Sequence, residues 1–450
     1  MNEAYLQRFL SESARGATRS DIRELLKLLS RPEIISLAGG LPTPEAFPIP
    51  DLVELMPRFL DEFGTAALQY GLTEGDIGLR QELIGLMTYY EGSPFDELTI
   101  DQIQITTASQ QALDLCSRIL ISKNDAVVCG LPSYLGALGA FAACGAKMTG
   151  IPLDEEGLRS DLLEQRLVDL RRTGVRPKLL YAVPDFGNPS GVTMSLRRRK
   201  EILSIAQEFD LLVLEDSPYR QLRYVGETIP TLYSLDQDGR VISMFTFSKI
   251  LFPGLRLGWV VAHPDIIAHL ITAKQPVDLC TSGFNQLVAR EYIKSGRLPG
   301  QIERICAVYA KKREAFLDAL EQEFDPAWGV HWTRPEGGMF LWMTLPSWVS
   351  SRKLLDRALE EKVAFVVGTA FHCDGAGQNT IRLNFSYPSP EDLREAAARL
   401  ARCVGRMIRD EAPVAGQRPA GSEHAPELLV SAEHSLEQLS WNLALSEVVQ

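Results

Sequence analysis

The chain has 450 residues, 45% hydrophobic and 23% charged, the balance of a soluble globular protein with more than one core. Its net charge of −12 excludes a general nucleic-acid surface. The seven cysteines are scattered, odd in number and never spaced CxxC, so reduced thiols in a cytoplasmic enzyme are expected, with no disulfide framework and no metal site.

In chain order, MNEAYLQRFLSESARG carries early acidic residues and no long apolar run, and does not read as a signal peptide. Strand-like runs then alternate with helix-like ones. QIQITT is followed by QQALDLCSRILI, and DAVVCG by a helix around 135–144; KLLYAV precedes a helix near 196–209, and LLVLED, VISMFTF and GWVVAH complete the series. Strands apolar on both faces, alternating with helices, indicate a parallel sheet covered on both sides. Ligands of such sheets gather at the carboxyl ends of the strands. The most membrane-like stretch, SYLGALGAFAACGAKM, is broken by glycines, stopped by Lys147 and shorter than a span, so a buried helix is expected and no membrane. After about residue 285 long helices (301–323, 352–361 and 391–409) alternate with short strands in GGMFLWMTL and NTIRLNFS, which suggests a smaller α+β domain. From Pro413 to Pro426 the composition reads as a linker, and Leu436, Leu439 and Leu443 beyond it form a modest helical stripe.

The residues with chemical potential cluster at the expected strand ends. Lys249 follows VISMF in TFSKILFPGLRLGW. Desolvation there favours its neutral amine, the nucleophile a Schiff base needs, although most lysines lie on solvated helix faces. Asp216 and Tyr219 stand in EDSPY. A buried aspartate would keep a ring nitrogen protonated and the phenol could bond a ring oxygen; taken alone, Asp216 reads sooner as a helix or turn cap. Asn188 in NPSG could donate to the same oxygen, yet Asn-Pro and Ser-Gly also mark plain turns. Ser109, in ASQQ at a helix start, suits phosphate or an ordinary N-cap. Arg256 could grip phosphate bidentately or form a surface ion pair. Thr246 and Ser248 offer hydroxyls or close the strand, and Tyr134 could stack on a flat ring or fill a core. Arg382 lies within an apolar strand, where an unpaired guanidinium is costly, so it needs a carboxylate from a substrate or a structural acid. Together these groups describe a site for a phosphorylated, hydroxylated pyridine aldehyde, pyridoxal 5′-phosphate.

The stretches SLAGGLPTPEAFP, ALQYGLTEGDIGLR, TTASQQALDL, PSYLGAL, NPSG, EDSPYR, FSKILFPGLRLGW, RPEGGMFLWM and IRLNFS resemble the fold type I PLP-dependent aminotransferases of class I/II, most of all the 2-aminoadipate aminotransferase branch. The resemblance spans about residues 15–408. It implies an α/β fold in which a large domain holds a mostly parallel seven-stranded sheet between helices. A smaller α+β domain is built from N- and C-terminal parts. The division is then an N-terminal arm and part of the small domain (1–45), the PLP-binding domain (46–285), the small C-terminal domain (286–412) and a linker with tail helix (413–450).

By the same resemblance Lys249 would hold the cofactor aldehyde, Asp216 the pyridinium, and Asn188 and Tyr219 the ring oxygen. Ser109, Gln110, Thr246, Ser248 and Arg256 would serve the phosphate, and Tyr134 would stack on the ring. Tyr70 would reach the phosphate of a neighbouring subunit, giving a homodimer with shared active sites. Arg382 would take the substrate α-carboxylate, with Gly40 and Asn188 beside it. The chain departs from its relatives at Ala108 (usually glycine), Gly187 (a longer polar residue), Ser190 (threonine), Val367-Gly368 (proline-glycine) and Thr246 (serine).

The expected reaction moves the amino group of an L-amino acid, glutamate- or 2-aminoadipate-like or a related larger one, to a 2-oxo acid. Lys249 would shuttle the proton between Cα and C4′. The alternative keeps the cofactor for β- or γ-elimination or replacement, decarboxylation or oxidation in a biosynthetic pathway. A ligand-sensing module would need an N-terminal winged helix, for which the 35 residues before SLAGG leave little room. Arg23, in TRSDIRELLKL, could pair with a distal substrate carboxylate or be an exposed helix charge.

Overall fold

In this computed structural model the described residues are 33–411 together with Tyr5, residues 8–11 and Ala14. Arg23 and the expected linker and tail lie outside them. In chain order the strands are β1 (Ile35–Ser36), β2 (Ile103–Thr106), β3 (Ala126–Leu131), β4 (Lys147–Asp154), β5 (Gly157–Leu158), β6 (Leu179–Ala182), β7 (Leu212–Asp216), β8 (Val241–Thr246), β9 (Gly258–Val261), β10 (His331–Trp332), β11 (Phe340–Thr344), β12 (Val363–Ala364), β13 (Val366–Val367) and β14 (Thr380–Asn384).

The central sheet has the order β2-β9-β8-β7-β6-β3-β4-β5. Strands β8, β7, β6, β3 and β4 are mutually parallel. β9 runs antiparallel to β8 and β2, and β5 antiparallel to β4. The sheet is therefore eight-stranded, not seven-stranded. The chain reverses after Asp154, Gly157 takes φ +99°, and two residues pair back on β4. A two-residue strand carries too little pattern to register in a sequence.

The parallel strands are apolar on both faces because each face has its own core. Val127, Cys129, Tyr181, Leu214, Ile242 and Met244 point to one side. Their neighbours Val128, Leu180, Val213 and Val241 point to the other. This period of two puts every second residue of a strand on the same face. A second sheet, β10-β11-β14-β13, is antiparallel, and β1 pairs in parallel with β12, far along the chain. The helix Leu298–Glu323 joins the cores: Leu298, Ile302 and Tyr309 pack with Ile105 and Trp259, and Phe316 and Leu320 with Leu341 and Leu383. Parallel β6, β7 and β8 end on one edge, which brings Asn188, Tyr219 and Lys249 to the same place. Among the described residues no helix is long and apolar enough to cross a membrane. All seven cysteines are free, and the described residues hold no metal-ligating group.

Candidate active site

Lys249 stands three residues past β8, and its Nζ donates to the Gly40 carbonyl at 2.9 Å. Desolvation brings its amine down to about 8, helped by the charges of Arg256 and Arg382. Near neutral pH a useful share of it is therefore the neutral amine.

Asp216 closes β7 in full burial. Its Oδ2 accepts from the Tyr181 hydroxyl at 2.8 Å, and its Oδ1 has no partner. Burial pushes its carboxyl up to about 7, against the opposing effect of the Tyr181 hydrogen bond. Three residues on, the buried Tyr219 hydroxyl accepts from Asn188 Nδ2 at 3.4 Å. Burial holds that phenol protonated, well above its ordinary range.

Asn188 links this end to Arg382, whose Nη1 donates to Asn188 Oδ1 at 3.0 Å and whose Nη2 donates to the Ala38 carbonyl at 2.6 Å. The guanidinium lies over Phe340 at 4.3 Å and Phe371 at 5.0 Å. Its Nε is buried without a partner, and among the described residues no carboxylate pairs with the guanidinium. Desolvation lowers even this group, to about 10. Gly40 is close-packed: a Cβ there would sit 3.2 Å from Phe340 Cζ.

On the other flank, the helix Ala108–Leu120 starts directly after β2, with Ala108 at φ +60° and no side-chain cap. Ser109 is half-buried there. Gln110 donates to the Gly136 carbonyl at 3.1 Å and accepts from the Tyr134 hydroxyl at 3.1 Å. Asp278 fastens this helix start through Thr107 (3.2 Å) and Gln111 (2.7 Å), and is itself paired with buried Lys274. Thr246 Oγ1 lies 3.0 Å from Ser248 Oγ. Arg256, exposed and left-handed at φ +48°, donates to the Pro253 carbonyl at 3.4 Å, and its charge acts on Lys249.

The structure thus brings Lys249, Asp216, Tyr219, Asn188, Arg382 and Gly40 together, with Tyr134, Gln110, Thr246, Ser248 and Arg256 on the adjoining side. Tyr70 is not among them: it is 80% exposed on the surface. Four contributors were missed in the sequence: Tyr181, Phe340, Phe371 and the Ala38 carbonyl. For Tyr181 there was a signal, since a tyrosine on a fully buried strand must find a partner for its hydroxyl. For the others there was none, because their contacts cross between distant segments.

The residues present fit pyridoxal phosphate. A buried carboxylate oxygen without a donor could take a ring N–H, a phenol and an amide could serve a ring oxygen, and a lysine with a depressed amine could take the aldehyde. The open helix start beside Ser109 could take the phosphate.

The aminotransferase class I and II family model matches residues 32–400. Aromatic-amino-acid aminotransferase 1 of Thermococcus litoralis is 44% identical, over 90% of this chain and 95% of its own. The 2-aminoadipate transaminase of Thermus thermophilus is 41% identical, over 88% and 96%. Among solved structures, a Pyrococcus horikoshii kynurenine aminotransferase in complex with PMP superposes with a TM-score of 0.86 at 43% identity, covering 90% of this chain and 98% of that one.

Proposed function

This chain belongs to the class I and II aminotransferases, which depend on pyridoxal 5′-phosphate, and we propose that its amino donor is a large L-amino acid of the 2-aminoadipate, glutamate or aromatic type, with a 2-oxo acid as acceptor. The observation that carries this reading is the approach of Lys249, past the carboxyl end of β8, to Arg382 on β14, which among the described residues has no carboxylate partner. An amino acid whose α-carboxylate bonds Arg382 and Asn188 has its α-carbon on the Lys249 side.

The bound cofactor supplies an electron sink for charge that develops at Cα. The chain does the rest. Asp216 Oδ1 would hold the ring N–H, Tyr219 and Asn188 the ring oxygen, and Tyr134 the ring face. Ser109, Gln110, Thr246, Ser248 and Arg256 would bind the phosphate. Lys249, as the free amine, would take the proton from the substrate's Cα and carry it across the same face. Arg382, held between two aromatic rings, fixes the carboxylate so that the Cα–H bond is the one aligned for breaking. Arg23 is kept as the partner of a distal substrate carboxylate. Arg23→Ala then raises KM for 2-aminoadipate about tenfold to a hundredfold relative to phenylalanine.

The same reading divides the chain at 1–45, 46–285, 286–412 and 413–450, and makes it a cytoplasmic homodimer. Free thiols support a reducing compartment. An exposed apolar series supports a second copy: Ile49, Val53 (71% exposed) and Leu60 on the helix Ile49–Ala67, then Leu68, Tyr70 and Leu72. Tyr70 on that surface serves the phosphate of the other subunit.

The loaded protein, mixed with one amino acid at a time and no acceptor, tests the reaction. The expected result is one 2-oxo acid released per site and loss of the cofactor's yellow colour, restored by 2-oxoglutarate. If no amino acid gives a 2-oxo acid, and one with a leaving group at Cγ releases that group, the transfer reading is wrong.

A further inference from the structure

Among the described residues Asp216 forms no ion pair, and burial and the Tyr181 hydrogen bond alone set its carboxyl. The titratable groups around it are Tyr181 on β6, Cys116 on the helix Ala108–Leu120, Tyr134 before the helix Leu135–Ala143 and Tyr219 past β7. Burial keeps all four protonated and neutral. An ionised carboxylate in such a place is costly, and a hydrogen bond to its charged form is the one feature that offsets the cost. Tyr181 makes that bond, at 2.8 Å to Oδ2.

The bond is held by the fold. Tyr181 pairs with Leu214 in the β6–β7 ladder, and Asp216, two residues along from Leu214, faces the same side. The Tyr181 ring is fully buried and braced by the edge of Phe141, 5.6 Å between centroids at 74°. With Oδ2 occupied from the strand below, Oδ1 is left as the acceptor without a donor.

We infer that Tyr181 is a positioning residue for the cofactor: its hydroxyl, bonded to Oδ2, favours the ionised form of Asp216 and leaves Oδ1 as the acceptor for the ring nitrogen, which sets the pH range in which the protein captures its cofactor. This rests on the reading of Asp216 as the partner of that nitrogen. A neutral carboxylic acid cannot offset the charge of a protonated pyridine. Loss of the Tyr181 hydroxyl leaves both oxygens without a donor and raises the pH at which Asp216 sheds its proton.

The test is the binding of pyridoxamine 5′-phosphate to cofactor-free protein between about pH 5.5 and 9, a range that brackets the expected titration of Asp216. This probe cannot condense with Lys249, which all the variants share. The proteins are the wild type, Tyr181→Phe, Asp216→Asn and Phe141→Leu. In Tyr181→Phe the acid limb of affinity moves up by about one pH unit, so binding near pH 7 weakens about fivefold and recovers to within about twofold at pH 9. Phe141→Leu, which disturbs the packing around the same ring but keeps the hydroxyl, lowers the melting temperature and leaves the limb in place. Asp216→Asn removes the limb. An unmoved limb in Tyr181→Phe, with the limb absent in Asp216→Asn, overturns the role of Tyr181 alone. An equal shift in Phe141→Leu overturns it too, because packing would then explain the effect. A wild-type limb in Asp216→Asn overturns the reading of Asp216 itself.

Discussion

Asp185 and Asp216 are both fully buried aspartates at the carboxyl ends of neighbouring strands, and their surroundings are opposite. Asp185 takes Arg199 Nη2 at 2.7 Å and Arg220 Nη1 at 3.0 Å. Arg220 goes on to pair with Glu91, and Arg199 gives its other protons to the carbonyls of Met194 (3.0 Å), Pro230 (3.0 Å) and Pro184 (3.2 Å). Burial alone would raise Asp185, but the two arginines outweigh it and hold the carboxyl below its ordinary range. Asp216 has one phenol, one oxygen without a partner and a carboxyl pushed up to about 7. The difference separates scaffold from site: paired charge fixes the backbone, and incompletely paired charge is what a ligand completes. The paired cluster lies next to what it steadies, since Asp185 is three residues before Asn188 and Arg220 follows Tyr219.

The largest expected effect tests the scaffold half. Asp185→Asn leaves two buried guanidiniums short of a counter-charge and lowers unfolding free energy by roughly 3–5 kcal/mol in denaturant titrations. A loss under about 1 kcal/mol would place the cluster with ordinary surface pairs. Next, Arg382→Gln sharpens the site half. KM for amino-acid donors rises about tenfold to a hundredfold as one charge-assisted contact is lost, while melting temperature stays level or rises. A fall in stability with unchanged KM would move Arg382 into the scaffold. A smaller effect concerns Lys249, whose cofactor capture needs the neutral amine. The capture rate, followed by absorbance, rises with pH to a midpoint near 8 rather than at the ordinary 10.5. Arg256→Gln removes one of the two nearby cations and moves that midpoint upward. The smallest is Ala108→Gly. Relief of a left-handed residue, worth about 1 kcal/mol, is offset by the lost methyl burial and the freer unfolded chain, so stability changes by less than about 1 kcal/mol either way.

The sequence made the scaffold's parallel strands legible because KLLYAV, LLVLED and VISMFTF are buried on both faces and leave no polar alternation to confuse them with edge strands. β4 was harder: it lies near the sheet edge, its burial is mixed, and KMTGIPLD carries glycine and proline. β1 and β12 are two residues each, and their pairing joins segments with no local signal in common. At the site, residues that follow a strand directly could be named in advance, since strand ends are where parallel sheets bind ligands. Asp185 was passed over within PDFGNPSG because a short acid beside proline and glycine reads as a turn residue. Its two arginines lie 14 and 35 residues away. The aromatic faces on Arg382 come from β11 and the segment after β13, a proximity that only the folded chain creates.

The contrast is tested most directly by unfolding cofactor-free Asp216→Asn and Asp185→Asn across pH. Folding raises the Asp216 carboxyl from the ordinary 3.8 to about 7. Between those values the unfolded chain has lost the proton that the folded one keeps, so stability falls as pH rises through that window, by roughly 4 kcal/mol in total. Asparagine has no proton to lose. Asp216→Asn is therefore expected to be more stable than the wild type at pH 8, by up to roughly 4 kcal/mol, with the gain fading toward pH 4. Asp185→Asn is expected to be less stable at pH 8. If Asp216→Asn is also destabilised at pH 8, or its difference from the wild type does not change with pH, then Asp216 is paired as well as Asp185 and the distinction between site and scaffold fails.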